Sequence, residues 1–163
     1  MRYQIRERIL RIGEDNDILN EAGQPVYQVD GKVLSLRGLM LVNDMSGNQV
    51  ATVSRKLAAL LATYEITLAG GGSAEVHQRF ASPLHPKWTI AEAGGAEMEM
   101  TGNFLGHDFT FTADGQTVAT VSKAWISLAD TYGVDIAGGQ NELLILCSVL
   151  ALEAEQDRSR HNR

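Results

Sequence analysis

A pentapeptide, Val50-Ala51-Thr52-Val53-Ser54, returns as Val118-Ala119-Thr120-Val121-Ser122 at an offset of 68 residues. The match extends beyond it. At the same offset Gly47 corresponds to Gly115, Arg55 to Lys123, Thr63-Tyr64 to Thr131-Tyr132, and Ile66, Leu68, Ala69 and Gly70 to Val134, Ile136, Ala137 and Gly138. A shorter grammar underlies the duplication, a glycine turn followed by apolar residues three and six positions on. Val26 and Val29 follow Gly23 in this way, Val50 and Val53 follow Gly47, and Val118 and Val121 follow Gly115. A degenerate copy places Ser73 and Val76 after Gly70. With the Gly94-Gly95 and Gly138-Gly139 turns, the marking glycines fall at intervals of 24, 23, 24, 21 and 23 residues.

A period of that length is compatible with a solenoid, so the content of each segment decides. Leucine-rich spacing is absent. Asp114-Gly115 and Ser46-Gly47 are turn dipeptides between alternating runs such as Phe109-Thr110-Phe111-Thr112 and Tyr64-Glu65-Ile66-Thr67-Leu68, the signature of hairpins. Each period is therefore one up strand and one down strand. About twelve antiparallel strands over residues 1 to 137 are expected, with the opposite-end connections near 13–17, 31–38, 57–61, 83–86, 102–106 and 127–130.

The last segment changes character. Asn141 is a good helix cap, Glu142 places acid in the first turn, and Leu143 to Leu152 is apolar apart from Ser148. A helix apolar on every side must be surrounded, and ten residues fall short of the roughly 20 that span a bilayer. A ring of a dozen strands leaves more room than side chains alone fill, enough for a helix roughly 10–12 Å across. The expected fold is all-β, a closed meander of about twelve strands around a central C-terminal helix. A two-sheet sandwich with the helix at one open side is the alternative. One domain over 1–157 with a basic tail at 158–163 accounts for the chain, whose 163 residues suffice for a single substantial core.

Charge and cysteine narrow the function. The net charge is −6, which disfavours general nucleic-acid binding. It is unevenly spread: residues 1–87 hold 10 bases and 9 acids, 88–157 hold 1 base and 11 acids, and Arg158, Arg160 and Arg163 follow. A body assembled from such halves can present one face that tolerates an anionic surface. Cys147 is the sole cysteine, which excludes an intramolecular disulfide and any cysteine-based zinc cluster. The first dozen residues interleave arginines with apolar residues and leave no signal-peptide core, so a cytoplasmic protein is expected.

Residues across the chain resemble one family. Met1-Arg2-Tyr3, the paired Gly-x-x-Val hairpins, Pro86-Lys87-Trp88-Thr89-Ile90, the Gly106-His107-Asp108-Phe109 turn, and Trp125 followed by Asp130-Thr131-Tyr132-Gly133-Val134 and a closing apolar helix look like the LURP-one-related proteins. These belong to the tubby C-terminal-like superfamily together with phospholipid scramblases. The resemblance implies a twelve-strand barrel threaded by a hydrophobic helix. For function it implies a non-enzymatic binding or adaptor role, since tubby domains bind phosphoinositide head groups and scramblases act at membranes. No segment aligns with the tubby lipid-binding residues, and none are carried over.

Individual residues give few sites. His77, His85, His107 and His161 lack His-x-x-x-His or Glu-x-x-His spacing, so neither a metal nor another cofactor is expected. His107-Asp108 reads as a turn-stabilising pair. No Gly-x-Ser-x-Gly elbow supports a hydrolase, Gly70-Gly71-Gly72-Ser73 lacks the Lys of a phosphate loop, and Glu97 and Glu99 read as the solvated side of a strand whose other side carries Met98 and Met100. Cys147, among Leu146, Val149 and Leu150, reads as a core residue. Arg55, Lys56 and Lys123 follow equivalent strands of the duplication and are the candidate anionic-ligand residues, with Arg2, Arg6 and Arg8 sharing one parity near the start. The expected partner is an anionic membrane lipid or a protein, without nucleic acid and without a transmembrane span. The alternative is a small-molecule-binding protein or small hydrolase with its site at one end of the barrel.

Overall fold

The computed structural model describes residues 1–6, 17–32, 38–79, 87–126 and 130–161. Arg8 and His85 lie outside these residues. Twelve strands follow in order: β1 (Arg2–Arg6), β2 (Asp17–Asn20), β3 (Pro25–Lys32), β4 (Leu39–Asp44), β5 (Gln49–Arg55), β6 (Thr63–Leu68), β7 (Ser73–Arg79), β8 (Lys87–Glu92), β9 (Glu97–Asn103), β10 (Asp108–Ala113), β11 (Gln116–Ser122) and β12 (Thr131–Ile136), then one helix, α1 (Glu142–His161). Each strand pairs antiparallel with the next, and β1 closes the ring on β12 with Arg2 opposite Asp135 and Arg6 opposite Thr131. Closure leaves none of the described strands as a sheet edge. The closed barrel replaces the sandwich alternative.

The three-residue valine spacing has a definite cause. A regular strand has period two, so residues three apart face opposite sides. Register shifts fall at Ile18/Leu19, Val42/Asn43 and Phe111/Thr112. They leave Val26, Val50 and Val118 as the extra residue of a β-bulge, which bends the strand and resets its parity. Both valines of each copy can then meet the core: Val29, Val53 and Val121 are fully buried, Val118 is buried, and Val26 and Val50 pack against the cluster. The copy that replaces the first valine with Ser73 runs without a register shift, Thr67 opposite Ser73 and Ile66 opposite Ala74.

The hairpin turns at one end are closed by side chains at the same repeat position. The Asn20 Oδ1 accepts from the backbone N–H of Ala22 and Gln24, each at 3.0 Å, and the Asp44 Oδ1 from Ser46 and Asn48, each at 2.9 Å. Gly23 and Gly47 complete these turns at φ +78° and +86°, a region that glycine enters without steric cost.

The helix starts from the hairpin end, where the Asn141 side-chain oxygen accepts from the Leu144 N–H at 3.2 Å. Tyr3, from β1, donates to Glu142 at 2.7 Å. From Leu144 to Ala154 every residue is buried, none above 5% exposed. Eleven consecutive buried residues make three full turns, and a helix lying against one wall would expose a residue on each turn. The barrel therefore encloses it. Its wall supplies Ile5, Val42, Val53, Ile66, Val76, Ile90, Met100, Phe111 and Val134, all fully buried. Ser148 is tolerated because its hydroxyl donates to the Leu144 carbonyl at 2.8 Å, and burial pushes the Cys147 thiol up to about 12. The helix runs on through Arg158 to His161.

Candidate functional site at the loop end of the barrel

β5 and β11 lie six positions apart in a ring of twelve, so the duplication relates opposite walls by an approximate two-fold axis along the barrel. Tyr64 and Tyr132 are equivalent under it, and both are buried. Between them pass the last buried turns of α1, which offer Glu153 and Glu155. Two residues apart on a helix, these carboxylates leave on nearly opposite sides and meet opposite walls. Tyr64 donates to the Glu155 Oε2 at 2.9 Å, and the Arg55 Nε lies 3.4 Å from the same oxygen. Burial, then the Glu155 charge, push the Tyr64 hydroxyl well above the ordinary phenol range, against the opposing pull of Arg55 and Arg158.

On the other wall Glu153 Oε1 and His107 Nε2 share a hydrogen bond at 2.6 Å, both side chains 5% exposed, and the imidazole stacks on Tyr132 with ring centroids 4.3 Å apart. His107 thus points into the barrel toward the helix, not along its turn to Asp108. The backbone turns it there at φ +51°, a left-handed conformation uncommon outside glycine. The turn is held by the Asn103 side chain, which accepts the Gly106 N–H at 2.9 Å. A carboxylate in this interior is tolerated because it is paired. Buried as it is, the His107–Glu153 pair ties a loop to the helix and does not face solvent.

Trp125, equivalent to Leu57 in the duplication, lies on the outer wall over Gly133. A Cβ on Gly133 would come within 2.3 Å of the indole ring, so only glycine seats it. Arg2 covers the other side, its guanidinium carbon 5.1 Å from the ring centroid, and is itself paired to Asp135 at 3.6 Å. The Tyr132-Gly133 dipeptide thus serves both faces of one strand, Tyr132 inward and Gly133 outward.

Charge is sorted along the barrel axis as well as along the sequence. At the loop end the strand termini and adjoining residues bring Arg6, Arg55, Lys56, Arg79, Lys87 and Lys123, against Asp17, Asp108 and Asp130. At the hairpin end they bring Glu21, Asp44, Glu92, Glu97 and Asp114, against Arg2. Arg158 and Arg160 leave the loop end on the helix, one turn beyond Glu155 and beside Asp157. Arg55 and Lys56 are adjacent there, while Lys123 stands on the opposite wall, so the three belong to one rim instead of one pocket. Lys56 is engaged by Glu75, which keeps its ammonium pKa raised and holds the Glu75 carboxyl below its usual range. Glu75 also meets the His77 Nε2 at 3.2 Å, and Lys87 meets Glu99 at 2.9 Å.

Among the described residues no group of three or more His, Cys, Asp or Glu is placed to hold a metal, and no helix is long and apolar enough to cross a membrane. The inward course of His107 escapes sequence reasoning because a left-handed histidine leaves no pattern; the duplicated tyrosines were the available pointer. No solved structure matches the chain. A protein of Bacillus subtilis (strain 168) described as uncharacterized protein YxjI is 28% identical over 149 residues, covering 91% of this chain and 88% of that protein. The family model for LURP-one-related proteins matches residues 1–153, and with the barrel, its enclosed helix and the Tyr132-Gly133 arrangement in place, the chain belongs to the LURP-one-related family.

Proposed function

We propose that this LURP-one-related barrel is a non-enzymatic binding module whose loop end meets the anionic head groups of a phospholipid surface. The observation that carries the reading is the sorting of charge, a rim rich in Arg and Lys at one end and a rim rich in Asp and Glu at the other. A molecule of net charge −6 charged in this way is attracted end-on and repelled in other orientations. The enclosed helix supports a surface mode of action, because it occupies the barrel interior that a small ligand would need. Co-sedimentation with neutral vesicles and with phosphoinositide- or phosphatidylserine-containing vesicles tests this. Stronger binding to the anionic set, weakening with salt over the range in which the screening length shortens, is expected; equal binding at low salt would sink the proposal.

The competing reading, a small hydrolase, has one observation in its favour. His77 stands between Glu75 and Thr63, its Nδ1 3.5 Å from the Thr63 hydroxyl. That hydroxyl donates to the Leu61 carbonyl at 3.0 Å, so its proton is committed away from the imidazole. Turnover of activated esters that disappears in both His77→Ala and Thr63→Ala would favour the hydrolase.

A further inference from the structure

The loop joining β5 to β6 is an anomaly of composition. From Leu57 to Ala62 it reads Leu-Ala-Ala-Leu-Leu-Ala, with none of the Gly, Asn, Asp, Ser or Pro residues that ordinarily build turns. Leu57 is 55% exposed and Leu60 102%, while Ala62 at the end of the run is buried, and two large apolar side chains held in water at one tip are a defect unless they have a use. On the opposite wall Trp125 takes the position of Leu57 and rests on Gly133 under Arg2. At the position equivalent to Gly133, β6 carries Glu65, which is exposed. The seat is missing, and the β5–β6 loop stays out, its stem closed by Lys56 N–H to the Thr63 carbonyl at 2.8 Å.

We infer that the β5–β6 loop is a membrane-inserting tip, with Leu57 and Leu60 entering the acyl region of an anionic bilayer while Arg55 and Lys56 at its base lie at head-group level. The inference rests on the head-group reading above and adds to it the depth of entry and the element that enters. Charge complementarity selects a bilayer as the occupant: the apolar tip rises beside Arg55 and Lys56, whose Glu155 and Glu75 partners lipid phosphates would compete with, and bases flanking an apolar tip are the arrangement that peripheral membrane segments use. Leu105, 74% exposed in the β9–β10 loop, projects from the same end. Met45, 52% exposed at the hairpin end, provides a control.

An environment-sensitive fluorophore on Leu60→Cys tests insertion, and Cys147 stays unlabelled because it is buried. With vesicles containing about one-third phosphatidylserine, the fluorophore should shift to the blue and be quenched by acyl-chain-brominated lipid. The Leu57→Ser/Leu60→Ser variant should lose at least about tenfold in vesicle affinity, and Met45→Ser should lose nothing. Salt-sensitive binding without a fluorescence shift, or with undiminished affinity in the double serine variant, overturns insertion and leaves the head-group reading standing. Absence of binding to every vesicle overturns both.

Discussion

Alanine substitution along α1 measures directly whether the barrel encloses the helix. At 3.6 residues per turn, Leu144, Leu146 and Leu152 point in three well-separated directions, yet they are 2%, 0% and 4% exposed. Leu→Ala in a packed core costs roughly 2–5 kcal/mol, rising with the cavity left behind. The wall here is a closed ring of hydrogen-bonded strands that cannot move inward without breaking pairs, so collapse around the cavity is restricted and the upper part of that range, about 3–5 kcal/mol, applies at each position. For a domain of this size that corresponds to a fall in Tm of roughly 6–20 °C. Two such substitutions approach the whole stability of a typical domain, about 5–15 kcal/mol. Urea unfolding followed by far-ultraviolet circular dichroism and by tryptophan fluorescence, with Leu143→Ala as the partly buried comparison, gives the values. A cost below about 1 kcal/mol at any of the three, producing the helical periodicity of one-sided packing, would refute enclosure.

Four further outcomes are expected. Gly133→Ala should destabilise the fold and alter Trp125 fluorescence, because the added Cβ meets the indole at 2.3 Å; an unchanged emission spectrum and Tm would show the seat to be dispensable. Glu153→Ala, which removes this hydrogen-bond partner from the buried His107, should cost about 1–3 kcal/mol, while the paired change His107→Phe/Glu153→Leu should recover part of it in the same urea assay. Cys147, with its thiol pushed up to about 12, should resist disulfide-exchange reagents at pH 8 until the protein opens, so rapid native-state labelling would contradict its placement. The backbone hydrogen bond from Asn48 holds the Asp44 carboxyl below its usual range, so its contribution is present above the ordinary carboxylate pKa and lost as pH falls through the lower, folded value; the stability gap between wild type and Asp44→Ala should narrow on acidification.

The fold could be derived from sequence because its two determinants are periodic. Glycines near every 23rd residue fixed the number of hairpins, and Leu143 to Leu152 required a surrounding wall. The valine spacing was visible too, but its bulges became intelligible only with the register, since three-residue spacing in a strand has no meaning without a partner strand. The candidate site resisted derivation where geometry is not periodic. Glu153 and Glu155 follow the apolar run, and nothing in their spacing marks them as partners of Tyr132's neighbour His107 and of Tyr64. His107 sits beside Asp108, and its chain neighbour suggested a partner that a left-handed backbone takes out of reach. The sequence divided charge between two halves of the chain, whereas strand alternation carries each half repeatedly from one rim to the other. The sorting by end depends on which residue terminates each strand.

Ring closure between β1 and β12 also constrains how the protein is made. The first and last strands are separated by more than a hundred residues, and the helix that fills the ring is encoded after both. A nascent chain therefore cannot complete the barrel until its last wall strand has left the ribosome, and a wall closed before α1 arrived would enclose an empty space. Late, long-range closure of this kind is intrinsically slow, and until then β1 and β12 present open edges. The same helix that fills the finished barrel is thus, during synthesis, the final component on which the wall assembles.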